Sequence, residues 1–223
     1  LAGFFAGFVS STAAIAGFGQ RLQAQPALRR SCVAAAQAAA LASLLLALPV
    51  LGTVSMHYLG LVLPQLLAFG AVLALAVLLG LRGDGVDPEA AMPTAASRMF
   101  SLSHALVFSA LIAGVLLLSA FLQQRFGSAG ALLTSAIAAL VELHAAMASI
   151  AQLGASGALD ETLAEWALQG VLLSSVLARG AVAFTAGGRA YGLRVGGVLA
   201  LAWLAAVLAV ALYLALIVPS IAV

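Results

Sequence analysis

Charged residues are scarce in this chain, which has 7% charged and 65% hydrophobic residues among its 223. A soluble domain carries about 25% charged residues. With so few charges, a fold of this size could not cover its surface in water, whereas a lipid bilayer could cover it. Lysine is missing altogether, and all nine basic residues are arginines. The net charge of +2 is too small to indicate a nucleic-acid partner.

Several kinds of chemistry are excluded because their residues or motifs are missing. The single cysteine, Cys32, leaves no internal disulfide framework and no cysteine-rich metal site. The sequence has no nucleophile elbow, no HExxH motif, no Walker loop and no dinucleotide fingerprint. We therefore expect no enzyme, no catalytic residues and no cofactor. The residue types leave open whether a metal ion binds.

Long hydrophobic runs make up most of the chain. Runs of about 20 apolar residues can cross ~30 Å of hydrocarbon as helices, and these runs do not alternate as barrel strands do. They predict an all-α membrane helix bundle of about seven transmembrane helices, forming one domain in a prokaryotic cell membrane. The predicted segments are approximately 1–19, 31–51, 58–81, 100–122, 129–153, 158–185 and 195–218.

The connections between these runs carry the remaining signals. The stretch from Arg82 to Arg98 is the one long polar linker, and it divides the chain into halves. Thr162 and Glu165 have the spacing of a capping box at the start of the sixth segment. The loop arginines divide five to four between the two sides, a margin too small to indicate orientation. Because the chain begins at Leu1 without a methionine, we expect it to start partway through a longer protein.

The two halves match at a single constant offset along the sequence. Residues 6–20 align with 138–152, and at the same offset further along Gln37 meets Gln169 and Ser43 meets Ser175. The alignment predicts an internal repeat of about 1–82 and 126–218. Four crossings separate equivalent helices, so the repeats are expected to share an orientation unless one segment is re-entrant. Internal repeats are common in transporter folds.

Three motifs carry a resemblance to a known family. They are GFVSSTA at residues 7–13, FGSAG at 126–130 and AQLG at 151–154. With them, the chain resembles the bacterial and archaeal membrane family of unknown function that often follows an MgtC/SapB domain. The resemblance implies a further helix before residue 1. It also implies Asp-x-Asp-Ala at residues 142–145, where this chain has Glu-Leu-His-Ala.

Polar residues inside the hydrophobic segments are the candidate site. Glu142 lies mid-segment, where an ionisable residue is costly to keep. His144 would point about 200° away on an ideal helix, so the two converge only if the helix is interrupted, and we expect such a break. The repeat places Ser10 and Thr12 at the equivalent positions. The predicted ion or substrate pathway comprises Ser10, Ser11, Thr12, Glu142, His144, Ser175 and Arg179.

Each candidate also has a structural interpretation. Serine and threonine hydroxyls often bond to the preceding helical turn, and a histidine can be satisfied in a core. Glu142 could be neutral and hydrogen-bonded in the bundle, and Arg179 could extend to the interface. Taken as a site, these groups suit a small cation, a proton or a polar solute.

Two functions follow from these patterns. The first is a transporter or permease-like protein for a small ion or polar solute. The alternative is a regulatory or scaffolding membrane protein that acts through helix contacts, with another copy or another membrane protein as partner. The small-residue stripe of Gly3, Gly7 and Ser11 supports this alternative, as does the resemblance to a family linked with MgtC, some of whose relatives act as modulators.

Overall fold

The computed structural model describes residues 2–82, 135, 137–139 and 142–221, and the protein is all-α over these residues, with no strand among them. A short 3₁₀ turn, Pro26–Leu28, joins the first two helices. The helices are α1 (Ala2–Ala24), α2 (Arg29–Val54), α3 (Met56–Leu81), α4 (Leu143–Ala155), α5 (Glu161–Gly187) and α6 (Arg189–Ile221). The predicted fourth segment, 100–122, and most of the polar linker lie outside the described residues.

The described helices are long and apolar enough to cross a membrane. Four stretches qualify, namely Ala2–Ala24, Pro26–Val54, Met56–Leu81 and Glu161–Ala215. The last stretch contains α5 and most of α6, which are separated at Gly188. Because apolar surface of this extent requires a lipid environment, the chain is an integral membrane protein. The prediction of seven spans stays a prediction.

Helix α1 packs closely on α2 through its small residues. A Cβ atom on Gly3 would meet the backbone of Ala35, and one on Gly7 would meet the backbone of Ala39. Ser11, the third member of the small-residue stripe, is also buried. The stripe is therefore used for packing inside the chain, where small residues let two backbones approach.

Helices α2 and α5 run in opposite directions. At one end, the start of α3 contacts the start of α5, because His57 Nε2 lies 2.9 Å from Glu161 Oε1 and the Tyr58 hydroxyl donates to Ala164 O over 3.0 Å. At the other end, a Cβ on Gly19 of α1 would lie 2.8 Å from Gly187 N, where α5 ends. The start of α3 follows the end of α2 in the chain, so the contact of α3 with the start of α5 places the start of α5 beside the end of α2. The end of α1 precedes the start of α2, so the contact at Gly19 places the end of α5 beside the start of α2. The shared orientation does not hold for α2 and α5, and the exception stated with it, a re-entrant segment, applies. Gly3 and Gly7 of α1 lie against Ala35 and Ala39 of α2 in the same chain order, although α1 ends where α2 starts, so α1 turns back at Ser10.

This antiparallel arrangement brings six of the described arginines to one end of the bundle. The last turn of α1, the start of α2, the end of α3 and the start of α6 all meet there. The arginines of these segments are Arg21, Arg29, Arg30, Arg82, Arg189 and Arg194. The opposite end carries His57, Asp160 and Glu161. The sequence did not show this difference in charge between the two ends. Assigning the loops alternately to the two sides of the membrane placed Arg189 and Arg194 on the side opposite Arg21, Arg29 and Arg30.

The start of α5 is capped by an aspartate. The Asp160 side chain accepts a hydrogen bond of 2.7 Å from Leu163 N, as an N-cap residue does. Glu165 is only 1% exposed and packs into the bundle. The predicted capping box of Thr162 and Glu165 is therefore wrong, because Asp160 already fills the cap position.

Candidate functional site

Two interruptions of helical geometry define the site. Within α1, Ser10 has an extended backbone (φ −166°, ψ 108°) between helical residues on both sides. Before α4, Glu142 has nearly the same conformation (φ −141°, ψ 109°). Residues 135, 137 and 138 before it are helical as well, and Glu142 N donates to Ala138 O over 2.7 Å. The expected helix break is confirmed, and it occurs at both positions.

Each interrupting residue caps the helical segment that follows it. Ser10 Oγ accepts from Ala13 N over 3.2 Å. The Glu142 carboxylate accepts from His144 N over 3.1 Å and from Ala145 N over 2.5 Å. First-turn N–H groups lack partners within their own helix, and the helix dipole favours negative charge there. One segment thus begins at a neutral hydroxyl and the other at a carboxylate.

His144 bridges the second interruption to α2. Its Nδ1 donates to Glu142 Oε1 over 2.7 Å, and its Nε2 donates to Ser43 O over 2.9 Å. A carboxylate and a backbone carbonyl are both acceptors. With an acceptor at each ring nitrogen, the geometry suits an imidazolium paired with the Glu142 carboxylate, so that the two groups balance each other's charge.

Arg179 brings a second positive charge into the same region. It is 4% exposed, and its Nη2 donates to Ser43 Oγ over 3.1 Å. Its Nε atom is buried without a hydrogen-bond partner. Among the described residues, no carboxylate lies within ion-pair distance of Arg179. A buried guanidinium with a single neutral partner is costly, so this residue is an unusual feature of the bundle.

These groups surround one cavity between α1, α2, α4 and α5. Its volume is about 210 Å³, compared with about 150 Å³ for an engineered protein cavity that binds benzene. It is lined by all seven residues of the predicted pathway, which are Ser10, Ser11, Thr12, Glu142, His144, Ser175 and Arg179. The structure thus brings the predicted residues together, while their role in binding or transport stays a prediction.

Sequence reasoning missed Ser43, which touches both His144 and Arg179. Its only signal was its position opposite Ser175 in the internal alignment.

A second polar group was also missed, deeper between α3, α5 and α6. There Gln169 Nε2 donates to Gln65 Oε1 and Trp203 Nε1 donates to Gln169 O, while both carboxyl oxygens of Glu165 are buried without a partner.

Two side chains of types that bind metal ions, Glu142 and His144, line the cavity. Over the described ranges, no cluster of three or more His, Cys, Asp or Glu side chains is placed to hold a metal ion. Cys32 is buried and does not line the cavity.

The fold and the cavity together define a class: a helical integral membrane protein with a polar cavity where two interrupted helices meet. The model of the family described as "Domain of unknown function (DUF4010)" matches residues 1–187. The chain therefore belongs to the DUF4010 family. Neither a curated protein nor a solved structure matches the chain.

Proposed function

We propose that this protein is a multi-pass transporter of a small ion or polar solute in a cell membrane. One observation carries the proposal: both interrupted helices begin a new segment at the wall of the same polar cavity. Transporters bind substrate near the midplane at discontinuous helices contributed by related repeats. The predicted association with an MgtC/SapB domain remains part of this proposal and is independent of the cavity.

The helix boundaries support the internal repeat on which the proposal draws. Helix α2 begins at Arg29 and α5 begins at Glu161, and these two positions are aligned with each other in the internal repeat. The two interruptions, at Ser10 and Glu142, are related by the same offset. At both places the capping side chain accepts from the N–H three residues ahead. A shared offset in helix starts and in cap geometry is expected of a duplicated unit.

The antiparallel course of α2 and α5 makes the proposed repeat an inverted one. Ser43 lies as far beyond the start of α2 as Ser175 lies beyond the start of α5. Antiparallel helices bring such mid-helix positions together, and both serines line the cavity. In inverted repeats, rocking of one unit against the other opens a central site alternately to each side.

The alternative, a scaffolding protein that carries nothing, has less support. In its main motif, the stripe of Gly3, Gly7 and Ser11, both glycines lie against α2 of the same chain and Ser11 is buried. A scaffold also gives no reason to keep a buried arginine beside a polar cavity, because such a charge is expensive in a dry interior.

The proposal includes an orientation. Cytoplasmic ends of membrane helices carry an excess of arginine. The end with Arg29, Arg30 and Arg194 therefore faces the cytoplasm, and the end with Asp160 and Glu161 faces outward.

Sided cysteine modification tests both parts of the proposal without knowledge of the substrate. Single cysteines are placed in a Cys32→Ala background at Gln25 (exposed, arginine end), Ser156 (exposed, acidic end) and Thr12 (cavity). A membrane-impermeant methanethiosulfonate is then added to intact cells or to inverted vesicles. We expect Gln25→Cys to react only in inverted vesicles, Ser156→Cys only in intact cells, and Thr12→Cys from at least one side.

The matched control is Ala183→Cys, a completely buried position on α5 away from the cavity. It is expected to remain unmodified from both sides. If Thr12→Cys is as unreactive as Ala183→Cys, the interior is dry and the transport proposal is wrong. If Gln25→Cys reacts from outside, the orientation is reversed.

A further inference from the structure

We infer that the cavity binds a small oxyanion, a carboxylate or an inorganic oxyanion, between the Ser10 helix break and Arg179. This inference rests on the proposed transport function and specifies its substrate class. It differs from the sequence-based expectation of a cation or proton, and the reason lies in how the charged groups of the cavity are paired.

Glu142, the one carboxylate among the described residues that line the cavity, is already engaged. Glu142 accepts from two N–H groups at the start of α4 and from the imidazole of His144. A cation would have to compete with these three hydrogen bonds for the same oxygens. Glu142 and His144 therefore form a balanced pair, which leaves Arg179 as the unbalanced charge.

Arg179 points to an anion independently of the helix ends. It is buried, it lines the cavity, and its one described hydrogen-bond partner is the neutral hydroxyl of Ser43. A guanidinium carries five N–H donors in a planar fork that matches the oxygens of a carboxylate or oxyanion. Its unpartnered Nε completes the donor set of a side chain suited to such a ligand.

The two helix breaks show how the protein itself places an anion at such a position. At the second break, a carboxylate from the chain caps the new helix start. At the first break, Ser10 caps Ala13 N with a neutral hydroxyl, and Ser11 and Thr12 line the cavity beside it. A helix start favours negative charge, so a substrate oxyanion would supply at Ser10 what Glu142 supplies at the other break.

Binding to the purified full chain tests the inference. Thermal unfolding is followed by the fluorescence of Trp166 and Trp203 in sodium acetate, sulfate, phosphate or chloride, and again with choline in place of sodium. We expect at least one of the three oxyanions to raise the melting temperature saturably at millimolar concentration, regardless of the cation. Sulfate and phosphate also stabilise proteins nonspecifically, but that effect does not saturate in this range.

Variants separate the site from general salt effects. Arg179→Gln is expected to weaken binding at least about tenfold, because a charge-assisted bidentate contact is lost. Arg194→Gln, an exposed arginine outside the cavity, is expected to bind as the wild type does. If Arg179→Gln does not fold, Arg179→Lys keeps the charge without the fork, and it too is expected to bind more weakly.

The inference is overturned if no oxyanion binds saturably, if only the cation matters, or if Arg179→Gln and Arg179→Lys bind as tightly as Arg194→Gln. If Thr12→Cys is water-accessible and no oxyanion binds, the inference fails while the transport proposal stands. If an oxyanion binds saturably but Thr12→Cys stays unmodified from both sides, the anion site is supported and transport is contradicted.

Discussion

The serine break in α1 and the glutamate break before α4 have the same backbone conformation and face the same cavity, yet they differ in charge. Ser10 and Glu142 are both extended, and each caps the amide three residues ahead. The carboxylate adds a second amide and the imidazole of His144 to its contacts. Ser10 and Glu142 thus share one backbone geometry, but one presents a neutral hydroxyl and the other a carboxylate. This difference in charge between the two breaks could give the cavity a preference among solutes.

The largest expected effect comes from removing the charge at the glutamate break. Glu142→Gln leaves His144 without its carboxylate partner and leaves an unbalanced positive charge beside Arg179. We expect solute flux in proteoliposomes to fall at least about tenfold, the equivalent of about 1.4 kcal/mol, while the protein remains folded in the membrane.

The control is Glu161→Gln, an exposed glutamate that contacts His57 at the acidic end. Its flux should match that of the wild type. Equal flux for Glu142→Gln and Glu161→Gln would show that the glutamate break has no role in transport.

A second comparison concerns stability at the two breaks. Ser10→Ala removes one cap hydrogen bond, which costs about 1 kcal/mol. Glu142→Ala removes two amide bonds and a charged contact, so we expect a cost of roughly twice that. In a protein of this size, about 1 kcal/mol corresponds to about 2–4 °C in melting temperature.

Melting temperatures of the two alanine variants in detergent measure this difference directly. Thr185→Ala serves as the control, since its hydroxyl bonds only to carbonyls of its own helix. A larger loss for Ser10→Ala than for Glu142→Ala would mean that the hydroxyl cap, and not the carboxylate, holds the two segments in place.

A third comparison concerns a buried position at which the two halves differ away from the cavity. Glu165 is buried with both oxygens unpartnered, and the residue aligned with it in the first half is the apolar Val33. An unpaired carboxylate is costly to bury, so Glu165→Gln is expected to raise the melting temperature by about 2–4 °C. A lower melting temperature would indicate that Glu165 has a partner that makes its acid group necessary.

Much of the helical fold was predictable from composition. The cores of α2, α3, α5 and α6 follow from predominantly apolar runs, and the observed ends lie within a few residues of the expected ones except at α6. That helix begins at Arg189, before the expected start at residue 195. The reason is that Arg189 and Arg194 are tolerated at an exposed helix start, although a hydrophobicity window excludes them.

The candidate site was predictable in its residues but not in its charge balance. Glu142 and Arg179 stand out because ionisable residues are rare in apolar segments, and the repeat alignment added Ser10 and Thr12. The contact partners could not be predicted, because Ser43 reaches His144 and Arg179 only once α2 lies against α4 and α5. The direction of the second half was also not predictable, because a hydrophobic run does not show whether the chain crosses the membrane or turns back within it, as α1 does at Ser10.

The most direct test of oxyanion transport through this cavity places a carboxylate at the serine break, as Glu142 does at the other break. Uptake of labelled acetate, sulfate and phosphate into proteoliposomes is measured for the wild type, Ser10→Gln and Ser10→Glu. The wild type should take up at least one of these oxyanions, and Ser10→Gln, which is neutral, should retain measurable uptake. Ser10→Glu should take up none, because its carboxylate would cap the α1 segment as Glu142 caps α4. Equal uptake by Ser10→Glu and Ser10→Gln would contradict the account.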